Sequence, residues 1–279
     1  MSGDALACVD AVGVRHSPVS GEARIVSLVP SITELLFDLG LGPSVVGRTG
    51  YCVYPEDEVG SVLRVGGTKT ADLDEIRALG ATHVILNVDE NPRALAEALT
   101  EIVPHVVVTH PMGLEDNPQL YRLLGTVFRR GPEAEALSIR FDHGFARLCR
   151  LAEHWPRRRV LYLIWRNPYM SVSRDTYISR TLARVGWDTV AHDSGVRYPT
   201  LEEPTKALEE ADLVLFGSEP FPFKPKHIDE LRRRYPMAGT QAMIIDAEMV
   251  SWYGSRAILG MDYLSAYVPE ANSGDGPVS

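Results

Sequence analysis

Residues 117–155 carry one long helical pattern that no strand interrupts, and on either side of it short apolar strands alternate with helices. This arrangement leaves few folds open. Leu120, Leu123, Leu124 and Val127 recur at helical spacing, and after Gly131-Pro132 so do Ala136, Ile139, Phe145, Leu148 and Leu151. Ahead of that run, strands read at 24–29, 45–47, 83–86 and 105–109, with helices between them. Beyond it, strands read at 160–165, 213–217 and 242–246, again separated by helices. Alternation of this kind builds parallel sheets covered by helices. The expected class is therefore α/β, with two lobes holding central parallel sheets, one long backbone helix joining them, and a ligand cleft between the lobes. The boundaries follow as an N-terminal extension 1–23, an N-terminal lobe 24–116, a helical bridge 117–155, a C-terminal lobe 156–268 and a Gly- and Ser-rich disordered tail 269–279.

Local signals mark where helices start and stop. Pro30 ends the first strand, and Ser31-Ile-Thr-Glu34 has the spacing of a capping box, in which the Ser31 hydroxyl and the Glu34 carboxylate would each satisfy an end amide. Gly40 fits the stop of that helix. Asp72-x-x-Glu75 repeats the pattern, and Gly186 stops a helix over 175–185. A last helix reads over 254–265.

Composition removes several function classes. The formal net charge of −9 opposes non-specific binding to a phosphate backbone, so no nucleic-acid partner is expected. No apolar stretch reaches membrane-spanning length. The first residues lack a basic start followed by a long apolar run, and a cytoplasmic location is the expectation, with a periplasmic or extracellular one if a leader has been removed. Cys8, Cys52 and Cys149 are too widely spaced for a disulfide framework or a Cys-x-x-Cys metal site. Dinucleotide-binding, P-loop, nucleophile-elbow and zincin fingerprints are all missing. No catalytic residue is nominated and no direct metal ligand set is identified.

Chemistry then concentrates in the loops that follow strands, where open α/β sheets place ligands. Tyr51 and Tyr54 lie in the first long loop, and Asn87, Glu90 and Asn91 in the next. Arg166, Asn167, Tyr169 and Arg174 follow the first strand of the second half. Arg197, Tyr198, Glu219, Phe221 and Phe223 come next, and Trp252, Tyr253 and Arg256 open the last helix. Aromatics in a cleft suit a flat, partly apolar ligand, and arginines suit carboxylates or phosphates. For any one of these residues the plainer reading is loop packing or pairing with the abundant carboxylates. The clustering at one edge carries the functional reading. The candidate ligand-binding set is Tyr51, Tyr54, Asn87, Glu90, Arg166, Tyr169, Arg174, Tyr198, Glu219, Trp252, Tyr253 and Arg256.

Several stretches resemble one family. RIVSLVPSITELLFDLG at 24–40, VGGTKTADLDEIRALGATHVIL at 65–86, WRNPYMSVSRDTYISRTLARVG at 165–186, RYPTLEEP at 197–204 and DAEMVSWYGSRAILG at 246–260 are similar to the metal-chelate class of solute-binding proteins, which take cobalamin, ferric siderophores or haem to ABC importers. VGGTKT, NVDEN, WRNPYM and SEPFPF look more like a leaderless subgroup, the helical-backbone metal receptors. The resemblance covers residues 24–265 and implies two rigid lobes joined by one long helix. It implies that Tyr51 and Tyr198 match aromatics that surround the corrinoid in the cobalamin-binding member, whereas Thr68 and Asn87 stand where that member carries tryptophans. It also implies docking of an acid from each lobe on an ABC permease. Asp74 keeps the first of these, and Pro204 stands at the second beside Glu202 and Glu203.

The function expected is therefore binding of a metal-containing or chelate-like small molecule, a corrinoid, haem or ferric chelate, by a monomer or weak dimer. Iron or cobalt would enter as part of that chelate. Two alternatives stay open on the same scaffold: a cytoplasmic enzyme using the cleft for a metal-assisted reaction, and a ligand sensor or adaptor.

Overall fold

The computed structural model describes residues 8–191, 195–202, 204–235 and 239–273. Contacts divide the chain into two compact units. The first holds the residues up to Pro111, Glu115–Phe141 and the short return segment Tyr253–Arg256; the second holds Met112–Leu114, Asp142–Trp252 and the residues from Ala257 onward.

The first unit contains a sheet of five strands: β1 (Ile25–Ser27), β2 (Val45–Arg48), β3 (Leu63–Arg64), β4 (His83–Asn87) and β5 (His105–Thr109), in the order β3-β2-β1-β4-β5. Every pairing is parallel. Strands β1 and β4 are buried along their whole length, as expected of continuous apolar runs covered on both faces. Val26, Leu28, Val84, Leu86 and Val108 pack with Ile76, Leu99 and Val103 from the covering segments.

The first helix corrects the capping-box expectation. Helix Pro30–Asp38 begins at the proline itself, its N-cap is Val29, and no side chain caps it. Proline is well placed there because its missing N–H would be unsatisfied in a first turn anyway. Ser31 lies inside the helix with its hydroxyl buried, and Glu34 turns away to another partner. The second signal fares better. Asp72 accepts hydrogen bonds from the amides of Asp74 and Glu75 and caps helix Leu73–Ala78.

The N-terminal residues are more than an appended extension. Ala11 N–H donates to Val108 O of edge strand β5 (2.9 Å), and the Asp10 carboxylate accepts from Val108 N–H (3.1 Å). Asp10 also accepts from the amides of Val12 and Val14 and pairs with His16 Nε2 at 3.1 Å. Burial works to raise its pKa, but the His16 contact and three backbone amides outweigh it and hold the carboxyl below its ordinary value. The strap thus covers an otherwise open sheet edge.

Helices Asn117–Val127 and Gly131–Ala152 form the uninterrupted helical stretch. The bend between them needs Gly125, where an added Cβ would stand 2.5 Å from the Ala134 Cβ.

The second unit contains six strands: β6 (Arg158–Trp165), β7 (Tyr169–Ser171), β8 (Trp187–Thr189), β9 (Thr200–Leu201), β10 (Leu213–Gly217) and β11 (Gln241–Ile245). The order is β11-β10-β6-β7-β9, with β8 also paired to β6. Pairings of β6, β8, β10 and β11 are parallel, while β7 and β9 join antiparallel. The loop read at 166–170 is therefore a tight return from β6 into β7, with Asn167 in the left-handed region (φ 58°). The last helix runs Arg256–Ser273, past the point at which a tail was expected to begin. Among the described residues no helix is long and apolar enough to cross a membrane.

Candidate functional site

In the first unit the strand-end segments are locked by side-chain hydrogen bonds. Asn91 is the hub: its amide nitrogen donates to Leu28 O (3.2 Å) and Thr68 O (2.7 Å), and its oxygen accepts from Asn87 N–H (2.8 Å). Three strand-end segments are joined by one buried side chain. Asn87 is itself buried, capping the Asp89 amide at 2.8 Å and donating to Thr109 Oγ1 at 3.5 Å.

The loop after β2 is braced from beneath. Arg48 is buried and spends its guanidinium on the carbonyls of Val59, Thr49 and Cys52. The Cys52 thiol is fully buried against the hydroxyls of Thr33 (3.0 Å) and Thr49 (3.2 Å). Burial pushes its pKa up, so this is a packed thiol rather than a nucleophile. Gly50 N–H donates to Gly66 O at 2.9 Å, and Tyr51 N–H to Thr49 Oγ1 at 3.2 Å. On this fixed support Tyr51 is 66% exposed.

Tyr54 and Arg256 meet in the same unit. The Arg256 guanidinium lies 3.8 Å from the Tyr54 ring centroid and donates from Nε and Nη2 to both oxygens of Glu34, each at 2.7 Å. Burial raises the Glu34 pKa and Arg256 opposes that rise. Next to Arg256 in sequence, Tyr253 is buried and donates its hydroxyl proton to Glu90 Oε1 at 2.5 Å. Burial, then the Glu90 charge, drive the Tyr253 pKa well up, so the phenol stays protonated. Gly254 fastens this segment: its N–H donates to Asn117 Oδ1 (2.6 Å), and its carbonyl accepts from Tyr121 Oη (2.9 Å).

The second unit offers a different surface at the end of β6. Trp165 is 40% exposed and meets Phe221 edge to face, with centroids 5.7 Å apart. Arg166 lies 5.9 Å over the same Phe221 ring, and its Nη1 stands 2.6 Å from Glu230 Oε2. Behind Phe221, Phe223 and the buried His227 ring close an aromatic cluster. His227 Nδ1 accepts from Lys224 N–H, and burial followed by the Arg166 charge lowers its pKa, so the imidazole stays neutral. Tyr169 is half-buried on β7, which raises its pKa. Glu219 accepts from Trp252 Nε1 (2.7 Å) and Ser251 Oγ (3.2 Å). Arg174 is exposed and donates to Thr189 O at 3.3 Å, and Tyr198 is half-buried.

Within the first unit, then, Tyr54 and Arg256 are together, as are Glu90 and Tyr253. Within the second, Arg166 joins Phe221, and Glu219 joins Trp252. The partners Glu230 and Trp165 were not singled out by sequence, and Glu34 was read only as a helix cap. Trp165 had a usable signal, a large aromatic at the last position of a buried strand. The pairing of Glu34 with Arg256 had no signal, because the two lie 222 residues apart. Glu203 falls outside the described residues. Among the described residues no three His, Cys, Asp or Glu side chains are grouped to hold a metal ion.

Residues 25–245 match the family described as periplasmic binding protein. The chain belongs to that family. This periplasmic binding protein family member is 24% identical over 199 residues to a vitamin B12-binding protein of Pectobacterium carotovorum subsp. carotovorum (strain PC1), an alignment covering 71% of this chain and 72% of that one. Its fold is similar to that of a periplasmic vitamin B12-binding protein of Vibrio cholerae, with a TM-score of 0.77 at 17% identity, covering 90% of this chain and 98% of the other. It is also similar to a periplasmic heme-binding protein of Roseiflexus sp. RS-1 in apo form, with a TM-score of 0.74 at 24% identity over 88% and 97% of the two chains. The two-sheet α/β architecture with its long helix is thus that of this family.

Proposed function

We propose that the protein binds a metal-containing, chelate-like small molecule, a corrinoid, haem or ferric chelate, in a cleft of the kind that the family resemblance implies. Relatives named for vitamin B12 and heme support this reading. The observation that carries it is Tyr51, an aromatic ring 66% exposed on a loop that hydrogen bonds from Arg48 to Cys52 O and from the Tyr51 amide to Thr49 hold in place. Solvating so large a ring on a rigid support is the arrangement expected of a stacking platform, because the ordering cost of binding is already met.

Docking on an ABC permease is the finer part of the proposal. Asp74 stands exposed on helix Leu73–Ala78, paired with Arg77 at 2.8 Å, and Pro204 is the N-cap of helix Thr205–Glu210. The test is native mass spectrometry with elemental analysis on untagged protein, followed by absorbance titration with haemin, hydroxocobalamin and a ferric siderophore. One of the three is expected to bind, and Tyr51→Ala to weaken it about tenfold, the loss of one aromatic stacking contact. Absence of binding to all three chelates would sink the proposal.

A further inference from the structure

The N-terminal strap buries its polar side chains and exposes its apolar ones. Asp10 and His16 are buried, whereas Val12 and Val14 are 58% and 48% exposed. No residue of the strap belongs to the apolar cluster around Val26 and Val84, so hydrophobic burial contributes little to its docking. One carboxylate holds it instead. Asp10 Oδ1 accepts from the amides of Val12 (3.0 Å) and Val14 (2.9 Å). Its Oδ2 accepts from Val108 N–H and lies 3.1 Å from His16 Nε2. Both oxygens are doubly used, and a carboxyl that takes up a proton gives up part of that acceptor capacity.

A second titratable group stands on the sheet side. His83 of β4 stacks on His105 of β5, with centroids 4.7 Å apart, and its Nδ1 lies 2.8 Å from Thr82 Oγ1. Phe128 meets its ring edge-on. The charges that act on His83 come from His105 and from His16 of the strap, both cations once protonated. The neighbouring cations Arg24 and Arg129 aim their Nε at the carbonyls of Leu79 and Val19. Protons taken up on these imidazoles repel one another, and a strap that leaves carries His16 away from His83.

We propose that residues 8–19 are an acid-released latch: protonation of the histidines between strap and sheet, and then of Asp10, lifts the strap from β5 as a unit while the rest of the first unit keeps its fold. Two groups set the window. Burial, then His105 and His16, hold the His83 pKa down at about 4 against an ordinary 6.5, so docking weakens as pH falls from 6.5 toward 4. Asp10 sits below its ordinary 3.8, so its share is lost only at lower pH still. Release uncovers the outward N–H and C=O of Val108, in a β-branched run that an edge strand otherwise has to shield.

The test is hydrogen exchange on the whole chain, read amide by amide by NMR and taken relative to free-peptide rates at each pH. Protection of the Val12, Val14 and Val108 amides is expected to fall about tenfold from pH 7 to pH 4.5, with the amides of β1 and β4 unchanged. Tenfold follows if His83 titrates one pH unit more readily once the strap has left. His83→Gln, which takes up no proton, should lose most of that fall. Asp10→Asn should leave the three amides fast at both pH values. Equal protection of the wild-type strap at pH 7 and pH 4.5 overturns the latch. A fall shared equally by β1 and β4 is global unfolding and overturns it too, as does a full fall in His83→Gln. The wild-type comparison decides the matter even where a variant does not fold.

Discussion

Arg256 and Glu34 show how a charged side chain can be consumed by structure. Both are largely buried, and their hydrogen bonds are short and paired. Removing one member leaves the other charged in a low-dielectric setting, which typically costs about 3–5 kcal/mol, whereas replacing both by apolar residues of similar volume is often neutral. Arg256→Ala is therefore expected to lower the unfolding free energy by about 3 kcal/mol in urea titration, and Glu34→Leu/Arg256→Met to restore most of it. A double variant no better than the single one would mean that the loss lies in the Tyr54 stacking instead. A local pattern misassigned Glu34 because S-x-x-E describes spacing alone. The competing facts were Pro30 in the first turn and a partner 222 residues away, and only folding brings the latter near.

Strand β4 and the N-terminal strap invite an argument at the scale of elements. His83 on β4 stacks on His105 of β5, with centroids 4.7 Å apart, and meets Phe128 edge-on at 5.0 Å. Burial, then the neighbouring His105 and His16, hold its pKa down at about 4 against an ordinary 6.5. The folded state thus binds fewer protons than the unfolded state between those values, so the stability present above pH 6.5 is lost as pH falls toward 4. His83→Gln is expected to shrink the stability difference between pH 7 and pH 4.5 by about 2 kcal/mol. Unchanged pH dependence in urea midpoints would assign the acid sensitivity elsewhere. Asp10 has its own test. Asp10→Ala should speed hydrogen exchange at the Val108, Val12 and Val14 amides and leave β1 protected, because the strap's hydrogen bonds converge on that one carboxylate.

At this scale much was legible. Helix Arg93–Thr100 and strands β5 and β10 fall where periodicity and turn residues put them, because apolar runs between polar turns suit a sheet covered on both faces. The antiparallel β7 and β9 were not legible, since strands of three and two residues carry no period to read. The docking of residues 8–19 was hidden for another reason: polar and turn-rich, the segment is held by its backbone and one aspartate, and neither leaves an apolar pattern. Site residues were legible as types in strand-end loops. Which of them spend their charge internally was not, because pairing is a tertiary fact.

For the whole molecule, the interleaved chain predicts cooperative unfolding. The backbone passes between units around Met112–Leu114, within the long helix near Phe141, and on either side of Tyr253–Arg256. All four tryptophans, Trp155, Trp165, Trp187 and Trp252, lie in the second unit, so their fluorescence reports on that unit alone, whereas far-ultraviolet circular dichroism sees both. Gly254 is a place to wound the first unit selectively. Its φ is +80°, and an added Cβ would sit 3.3 Å from both the Leu35 Cβ and the Ser31 carbonyl. A side chain in the left-handed region costs about 1–2 kcal/mol, which for a chain of 279 residues melting as one body is a midpoint shift of roughly 2–3 °C. Gly254→Ala should lower the tryptophan-fluorescence midpoint and the dichroism midpoint together, although no tryptophan lies in the unit that carries the substitution. If the dichroism midpoint falls while the fluorescence midpoint holds, the units melt separately, and the five crossings of the chain tie them together without making them one cooperative body.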